Sequence, residues 1–261
     1  MTTPISPVVD LTGKSILITG GGGGLGADMA ALFTRLGARV LLADIAQDSA
    51  EAMAAKVGNG ALGVRCDISD EESVAELADV ARCEFGRIDA LVNNAAHADL
   101  AGDLDLLGTD TSVWRRTVDV NLTGTMLVSR AIVPIMIAGG GGSIVTIVSR
   151  AGIAPPLSSR RLTYSTTKAG LIMLARHMAV AYGKKGVRSN SVAPGTIETE
   201  RMLRDLSAER LTQSRANVLT PSLGRPEDIS NMVAYLASDA GRFITGQTIQ
   251  IDGGVLTGLH E

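Results

Sequence analysis

The sequence predicts a doubly wound α/β fold, in which seven mostly parallel strands carry helices on both faces. Short apolar, β-branched segments alternate with longer helical segments through most of the 261 residues, and this alternation is typical of a parallel sheet. A glycine-rich turn separates the first apolar segment from the first helical one. No linker, low-complexity tract or internal repeat interrupts the pattern, so we expect one domain over residues 1–261.

The strands are predicted from short apolar segments, the first of which ends in glycines and the second at Asp44. Such segments suit parallel strands that are buried on both faces of a sheet. In chain order, the predicted strands are residues 15–19, 39–43, 61–65, 90–93, 143–148, 187–192 and 249–252.

The helices are predicted from longer segments between these strands, with glycines after the first and the fifth of them. In chain order, they are residues 25–36, 49–56, 71–85, 112–137, 163–182 and 226–236. Residues 112–137 form one helix only if Pro134 lies near its end, because an interior proline breaks the hydrogen-bond ladder. Residues 196–225 are polar and charged and break the alternation, so we expect a functional, lid-like segment there.

Composition excludes several classes of function. The net charge is −3 and the charges are mixed along the chain, so neither a nucleic-acid surface nor attraction to anionic membranes is indicated. The apolar stretch at residues 131–138 is too short to span a bilayer. Residues 1–10 lack the charged and apolar regions of a signal peptide. We therefore expect a soluble, cytoplasmic protein.

The cysteines and histidines do not form a metal-binding pattern. Cys66 and Cys83 have no zinc-ligand spacing around them, and the chain has only three histidines. The sequence therefore predicts neither a metal site nor a disulfide framework.

A glycine-rich loop at residues 19–26 predicts dinucleotide binding. Glycines let the backbone approach a pyrophosphate closely, and the following helix offers free amides at its N-terminus. The loop residues singled out for cofactor binding are Gly20, Gly24, Leu25 and Gly26. An ordinary tight turn also uses glycine, but here Asp44 follows the second strand, placed to bind an adenosine ribose diol. No Arg or Lys stands next to Asp44 in the sequence, which favours NAD over NADP.

Tyr164 and Lys168 stand four residues apart and share one face of a predicted helix. A nearby ammonium stabilises a phenolate and lowers its pKa, which would make Tyr164 a usable base. An exposed pair on a helix surface is the ordinary alternative. Ser149 favours the functional interpretation, since it follows the fifth strand at the edge where doubly wound sheets bind ligands. Ser149 also suits a helix or turn cap.

Taken in order, these residues resemble the single-domain short-chain dehydrogenases/reductases from Gly13 to Gly254. The motifs that carry the resemblance are TGxxxGxG at residues 19–26, Asp67, Asn93-Asn94-Ala95, Asn121, Ser149, YxxxK at residues 164–168, Pro194-Gly195 and the IDGG at residues 251–254. Two features depart from the common pattern. Ala96 replaces a usual glycine and is followed by His97, and the separation between Ser149 and Tyr164 is slightly long.

The resemblance implies a role for each matched residue. It makes Tyr164 the general acid/base, Ser149 the residue that orients the substrate oxygen, and Lys168 a ribose ligand that also lowers the pKa of Tyr164. It implies that Asn121 helps to hold a water in a proton relay. The remaining cofactor contacts that it implies are Asp67, Ile68, Asn94, Tyr164, Pro194, Ile197 and Thr199.

The sequence therefore predicts hydride transfer between NAD(H) and a secondary alcohol or ketone. An NADP-dependent 3-oxoacyl-carrier reductase and an NAD(H)-sensing protein without catalysis are the alternatives. A sugar-nucleotide epimerase would need a second substrate domain. The resemblance also implies a homodimer or homotetramer, packed through the helices at residues 112–137 and 163–182.

Overall fold

A seven-stranded, fully parallel sheet forms the centre of the fold. The computed structural model describes residues 9–156, 160–205 and 207–256. Residues 1–8, in which the sequence analysis expected no signal peptide, lie outside the described residues. The strands are β1 Ser15–Thr19, β2 Arg39–Asp44, β3 Leu62–Arg65, β4 Ala90–Asn93, β5 Gly142–Ile147, β6 Val187–Pro194 and β7 Thr248–Ile251. Their spatial order is β3-β2-β1-β4-β5-β6-β7, which confirms the predicted sheet.

Alternating side chains of the central strands fill two separate hydrophobic layers, one on each face of the sheet. Ile16 and Ile18 of β1 face the layer that contains Phe33 of the first helix. Leu17 faces the other layer, which contains Ile132. All these side chains are fully buried, which explains why the strands appear in the sequence as nearly continuous apolar segments.

The helices match the predicted ones, with two additions. They are α1 Gly24–Arg35, α2 Gln47–Val57, α3 Glu71–Val80, α4 Thr111–Val118, α5 Thr125–Ala138, α6 Leu162–Tyr182, α7 Glu200–Asp205, α8 Ala208–Ala216 and α9 Pro226–Ala237. The helices α7 and α8 lie in the segment that the sequence analysis left without secondary structure. A π-helical turn, Ala81–Phe85, extends α3, and a second one, Asp119–Gly124, joins α4 to α5.

The predicted long helix is present as a continuous run of 28 residues, Thr111–Ala138. Pro134 lies four residues before its end, as the prediction required. By length and composition this run could cross a membrane, but 56% of its most apolar window is buried inside the fold. It therefore serves as a core helix of the α/β fold.

Candidate active site

The glycine-rich loop lies at the carboxyl end of β1, where the strand order reverses between β1 and β4. The helix α1 begins at Gly24 without a side-chain cap, so the amides of its first turn have no partner within the helix. Gly20 and Gly24 adopt positive φ angles of 65° and 53°, a region that favours glycine. A Cβ atom on Gly26 would lie only 2.0 Å from the Gly20 carbonyl oxygen. The loop therefore requires glycine and offers backbone amides to an anionic group. Leu25, beside it, is partly buried against the core.

Asn94 fastens this loop to the end of β4. Its side-chain amide donates to the carbonyl oxygens of Thr19 and Gly20, at 3.0 Å each. In return, the Thr19 hydroxyl accepts the backbone amides of Asn94 and Ala95 at 3.1 Å. The sequence analysis did not single out Thr19, although it opens the glycine motif. These bonds fix the loop conformation and support the expected place of Asn94 in the wall of the site.

Asp44 faces the glycine loop from the end of β2. Its carboxylate accepts the backbone amide of Gly22 at 2.9 Å and that of Ala46 at 3.1 Å. No Arg or Lys is adjacent to Asp44 in the sequence, but the folded sheet brings one next to it. Arg65 of β3 pairs with Asp44 in the register of the two strands. Arg39 is directed elsewhere, since it donates to two backbone carbonyls and stacks on Phe85.

Asp67 and Ile68 follow β3 at the same edge. A single carboxylate oxygen of Asp67, Oδ1, accepts two hydrogen bonds from Ser69, one from its backbone amide at 2.9 Å and one from its hydroxyl at 2.6 Å. The hydrogen bond from the Ser69 side chain is the main cause that lowers the pKa of Asp67. Ile68 is buried, and a Cβ atom on Gly124 would lie 2.8 Å from its side chain. The side chain of Ile68 thus packs mainly into the protein interior.

Ser149, Tyr164 and Lys168 come together between the end of β5 and the first turns of α6. The Ser149 hydroxyl accepts the Ala151 amide at 3.2 Å and lies close enough to the Tyr164 phenol to lower its pKa. The cap and the functional interpretation of Ser149 are therefore both compatible with the geometry. Lys168 is 2% exposed, and its ammonium donates to the Ile147 carbonyl oxygen at 2.7 Å. The three residues form a polar cluster at the edge where ligands are expected, with Lys168 buried and Ser149 and Tyr164 partly buried.

The protonation of this cluster differs from the expectation. Burial raises the pKa of Tyr164, while the hydrogen bond with Ser149 and the charge of Arg161 oppose this rise. The expected lowering by Lys168 is wrong for the protein alone, because the Lys168 Nζ atom is bonded to Ile147 and lies 5.6 Å from the centre of the Tyr164 ring. Burial also lowers the pKa of Lys168 to about 8.

Lys168→Met is expected to stabilise the fold by about 1–3 kcal/mol at neutral pH. Below pH 8 the ammonium is charged in the folded and the unfolded chain, so the full cost of its burial is present. This cost disappears as the pH rises from about 8 towards 10.5, because the folded chain loses the proton first. Loss of the bond to Ile147 offsets part of the gain.

Urea unfolding near neutral pH and near pH ~10 checks this prediction. Lys184→Met, at an exposed lysine, is the control and should leave stability unchanged at both pH values. A Lys168→Met protein that is less stable than the wild type at neutral pH would contradict the argument.

Asn121 lies in the π-helical turn and connects two parts of the site. It is fully buried, its Oδ1 atom accepts the His97 amide at 2.7 Å, and its Nδ2 atom donates to the His97 carbonyl oxygen at 3.0 Å. The same Nδ2 atom lies 3.2 Å from the Thr167 hydroxyl, which donates to the Tyr164 carbonyl oxygen. Asn121 therefore links the loop after β4 to the catalytic-side helix α6. Thr167 was missed in the sequence, where only its place inside the YxxxK motif marks it.

Pro194, Ile197 and Thr199 follow β6 at the same edge of the sheet. Pro194 ends β6 beside Ile251 of β7. The side chain of Ile197 is buried in the hydrophobic layer that contains Phe33, so a cofactor would meet the backbone of this residue more than its side chain. The Thr199 hydroxyl accepts the Met202 amide at 3.2 Å at the start of α7.

Three arginines stand on the connection from Ser149 to Tyr164, and the charge of Arg161 acts on both Tyr164 and Arg150. Arg160 and Arg161 are exposed, and Arg160 lies 3.4 Å from the Ala101 carbonyl oxygen. Arg150 is half-buried, and this burial is the main cause that lowers its pKa, with Asp252 acting in the opposite direction.

Comparison with known proteins places the chain in a family. Residues 21–256 match the family model described as enoyl-(acyl carrier protein) reductase. The chain is 42% identical to a short-chain type dehydrogenase/reductase from Bradyrhizobium diazoefficiens, over 94% of this chain and 88% of that protein. It is 38% identical to cis-4-hydroxycyclohexanecarboxylate dehydrogenase from Sinomonas cyclohexanicum, over 91% and 94%.

A solved structure shows the same architecture. The structure of 7α-hydroxysteroid dehydrogenase complexed with NADH and 7-oxo glycochenodeoxycholic acid superposes with a TM-score of 0.87 at 33% identity, over 94% of this chain and 95% of that one. The family resemblance drawn from the motifs is thus confirmed by matches over nearly the whole chain. The chain belongs to the single-domain short-chain dehydrogenase/reductase family of oxidoreductases.

Proposed function

We propose that the protein is an NAD-dependent dehydrogenase or ketone reductase that acts on a secondary alcohol or its ketone, with Tyr164 as general acid/base. The observation that carries this proposal is the cluster of Ser149, Tyr164 and Lys168 at the carboxyl edge of the sheet. The same edge holds the glycine loop and Asp44. Two relatives, named for a hydroxycyclohexanecarboxylate and a hydroxysteroid, support a ring-bearing secondary alcohol as the substrate class.

The residues of the cluster have complementary tasks at the substrate oxygen. In alcohol oxidation the Tyr164 phenolate accepts the proton of the alcohol, and in ketone reduction the Tyr164 phenol donates its proton to the forming alkoxide. The Ser149 hydroxyl, which lies beside Tyr164, would turn to donate its one proton to the substrate oxygen and orient it. The raised pKa of Tyr164 keeps the phenol protonated at neutral pH, which suits proton donation during ketone reduction. Lys168 brings a cation close to the Tyr164 ring, and Asn121 holds the adjoining loop in place.

The loop and strand ends fit a nicotinamide dinucleotide. The pyrophosphate would be held by Gly20, Gly24, Leu25 and Gly26. Asp44 accepts hydrogen bonds from two backbone amides, and its remaining lone pairs would accept the adenosine ribose hydroxyls. The other proposed cofactor contacts are Asp67, Ile68, Asn94, Lys168, Pro194, Ile197 and Thr199. When bound, the nicotinamide supplies or accepts the hydride.

A coupled absorbance assay of the reduced cofactor tests the function. The panel pairs cyclic secondary alcohols, with and without a carboxylate, with their ketones, and adds 3-oxoacyl thioesters. Turnover of the alcohols and ketones with NAD(H) supports the proposal. Turnover confined to 3-oxoacyl thioesters with NADPH would favour the 3-oxoacyl-carrier reductase. Tight NADH binding without turnover of any substrate would favour an NAD(H)-sensing protein.

We also propose that residues 196–225 act as a lid. The segment is fastened at its ends, where Ile197 pairs with Gly224 and the Leu219 amide donates to the Gly253 carbonyl oxygen at 2.8 Å. Among its described residues from 198 to 222, none is buried. Few buried contacts give a low free energy of local opening, so α7 and α8 can open for substrate entry and close to exclude water.

Hydrogen exchange with and without cofactor and substrate checks the lid. We expect amides of residues 198–222 to exchange rapidly in the free protein and to become protected by at least about tenfold in the complex. The helix α9, Pro226–Ala237, has a largely buried face and serves as the internal control. Strong and equal protection of residues 198–222 in both states would rule out a lid.

A homodimer or homotetramer in the cytoplasm completes the proposal. Apolar side chains remain exposed on the two helices that the sequence analysis named. Trp114 on α4 is 37% exposed, and Met173 and Val180 on α6 are 51% and 86% exposed. Exposed apolar side chains of this size favour contact with another subunit.

A further inference from the structure

The helix α6, which carries Tyr164, begins without a cap of its own. Its N-cap residue is Arg161, whose side chain makes no capping hydrogen bond. Arg161 also has a φ of 71°, in the left-handed region that non-glycine residues rarely adopt. A helix start normally relies on a Ser, Thr, Asp or Asn whose side chain accepts the amides of the second or third helical residue. Another part of the chain must therefore satisfy the first amides of α6.

Asp103, in the connection between β4 and α4, supplies the missing cap. Its Oδ1 atom accepts the Thr163 amide at 2.9 Å, and its Oδ2 atom accepts the Tyr164 amide at 2.8 Å. The backbone carbonyl of Asp103 accepts the Arg161 amide at 3.0 Å, and the carbonyl of the next residue, Leu104, accepts the Leu162 amide at 3.2 Å. Two consecutive residues thus satisfy four consecutive amides, 58 to 61 positions away in sequence.

Each oxygen of the Asp103 carboxylate accepts one amide of α6. The residue is 2% exposed, and burial of a carboxylate is costly unless its oxygens accept hydrogen bonds. A negative charge at a helix N-terminus is also favourable because of the helix dipole. Asp103 sits on the connection whose His97 is bonded to Asn121, so the same connection contacts α6 from two directions.

We infer that Asp103 is a positioning residue for the acid/base Tyr164, acting through the backbone of the first turn of α6. This inference rests on the proposed role of Tyr164. Because the bonded amide belongs to Tyr164 itself, loss of the carboxylate shifts the start of the helix and moves the phenol away from Ser149. Reacting groups displaced by about 1 Å lose rate by about 10²-fold. The cofactor loop is fastened by Asn94 and Thr19 instead. Lys168 lies one turn further along α6 and is held by the Ile147 carbonyl oxygen, so cofactor binding should depend little on Asp103.

The variants Asp103→Asn and Asp103→Ala test this inference. Asn keeps one acceptor oxygen and Ala keeps none, so kcat should fall by about tenfold in the first and about 100-fold in the second. Rates are expressed per cofactor-binding site, titrated by NADH fluorescence, so that unfolded molecules do not count. The dissociation constant for NADH should stay within about twofold of the wild-type value. Hydrogen exchange of the amides in residues 160–168 should be faster than in the wild type, moderately in Asp103→Asn and more strongly in Asp103→Ala. If Asp103→Ala does not fold, the comparison rests on Asp103→Asn.

The control is Asp110→Ala, at the other end of the same connection. Asp110 caps α4 by accepting the Ser112 amide at 2.7 Å, so this variant removes a cap of the same kind without touching α6. It should lower stability and leave kcat per site unchanged. An Asp103→Asn protein with wild-type kcat per site, or with NADH affinity lost in proportion to kcat, would overturn the inference and leave only a structural role.

Failure of the proposed function gives a different result. In that case the wild-type protein itself shows no turnover with alcohols or ketones. If the wild type is active, kcat of the Asp103 variants decides the inference. If it is inactive, Tyr164 has no acid/base role here and the inference falls with the function, while the exchange data still report on the cap.

Discussion

Replacing Tyr164 with Phe is expected to lower kcat by about 10²–10⁴-fold, the largest effect of any single substitution in the site. The substitution keeps the aromatic ring and removes the hydroxyl that exchanges a proton with the substrate oxygen. Ser149, which lies beside the Tyr164 phenol, alone remains to orient that oxygen. In free energy this loss corresponds to about 3–5 kcal/mol of transition-state stabilisation.

Cofactor affinity should hardly change in Tyr164→Phe, because the glycine loop, Asn94 and Lys168 keep their positions and contacts. Lys168→Ala is expected to impair both turnover and cofactor binding, since Lys168 lies between Ile147 and the Tyr164 ring. Steady-state kinetics and NADH titration separate the two effects.

Tyr182→Phe is the matched control, since Tyr182 ends the same helix far from the cluster. It should keep wild-type kinetics. Turnover of Tyr164→Phe within a few-fold of the wild type would refute the proposed mechanism, because no other phenol of the described chain lies in the cluster.

The sheet was predictable because its strands are buried on both faces. Burial of Leu17, Ile18 and their neighbours imposes apolar runs that can be recognised without knowledge of the partner strands. The glycine loop was predictable for a related reason. Gly20 and Gly24 adopt positive φ angles, and such a local backbone conformation favours glycine at those positions whatever the rest of the fold. The glycines can therefore be recognised from the sequence alone.

The remaining features depend on contacts between distant residues, which one sequence does not encode in a readable pattern. Asp103 resembles any acidic loop residue until α6 is packed against it. Arg65 stands beside Asp44 only because β2 and β3 pair in that register. The direction of the Tyr164 pKa was missed because it depends on how deeply the phenol is buried and on which atom the Lys168 ammonium contacts.

The unaltered protein is expected to prefer NAD(H) over NADP(H) by roughly 30-fold in kcat/KM, and Asp44 is expected to set this preference. A 2′-phosphate would meet the Asp44 carboxylate with like charge. At ~4 Å and an effective dielectric constant near ~20, such a pair costs about 4 kcal/mol. Salt and solvent reduce this by about half. About 2 kcal/mol remains, which is roughly 30-fold.

Arg65 acts against this preference, since it is the exposed cation aligned with Asp44 on the neighbouring strand. Asp44→Ala should therefore weaken NAD(H) use and bring the two cofactors to within a few-fold of each other. Adding Ile45→Arg, at a residue that is 56% exposed, should favour NADP(H) through bidentate phosphate contacts. Arg65→Ala should instead sharpen the preference for NAD(H).

The measurement is kcat/KM for both cofactors in each variant, at one fixed salt concentration because screening enters the estimate. Asp48→Ala is the control, since Asp48 is an exposed carboxylate in the first turn of α2 whose removal changes the net charge equally. It should leave the cofactor ratio nearly unchanged, whereas Asp44→Ala should shift it by roughly 30-fold. Hydrogen bonds from two backbone amides hold the Asp44 carboxylate against the glycine loop, where a 2′-phosphate could not avoid its charge. A preference of the unaltered protein for NADP(H) would therefore show that Asp44 does not set the cofactor choice.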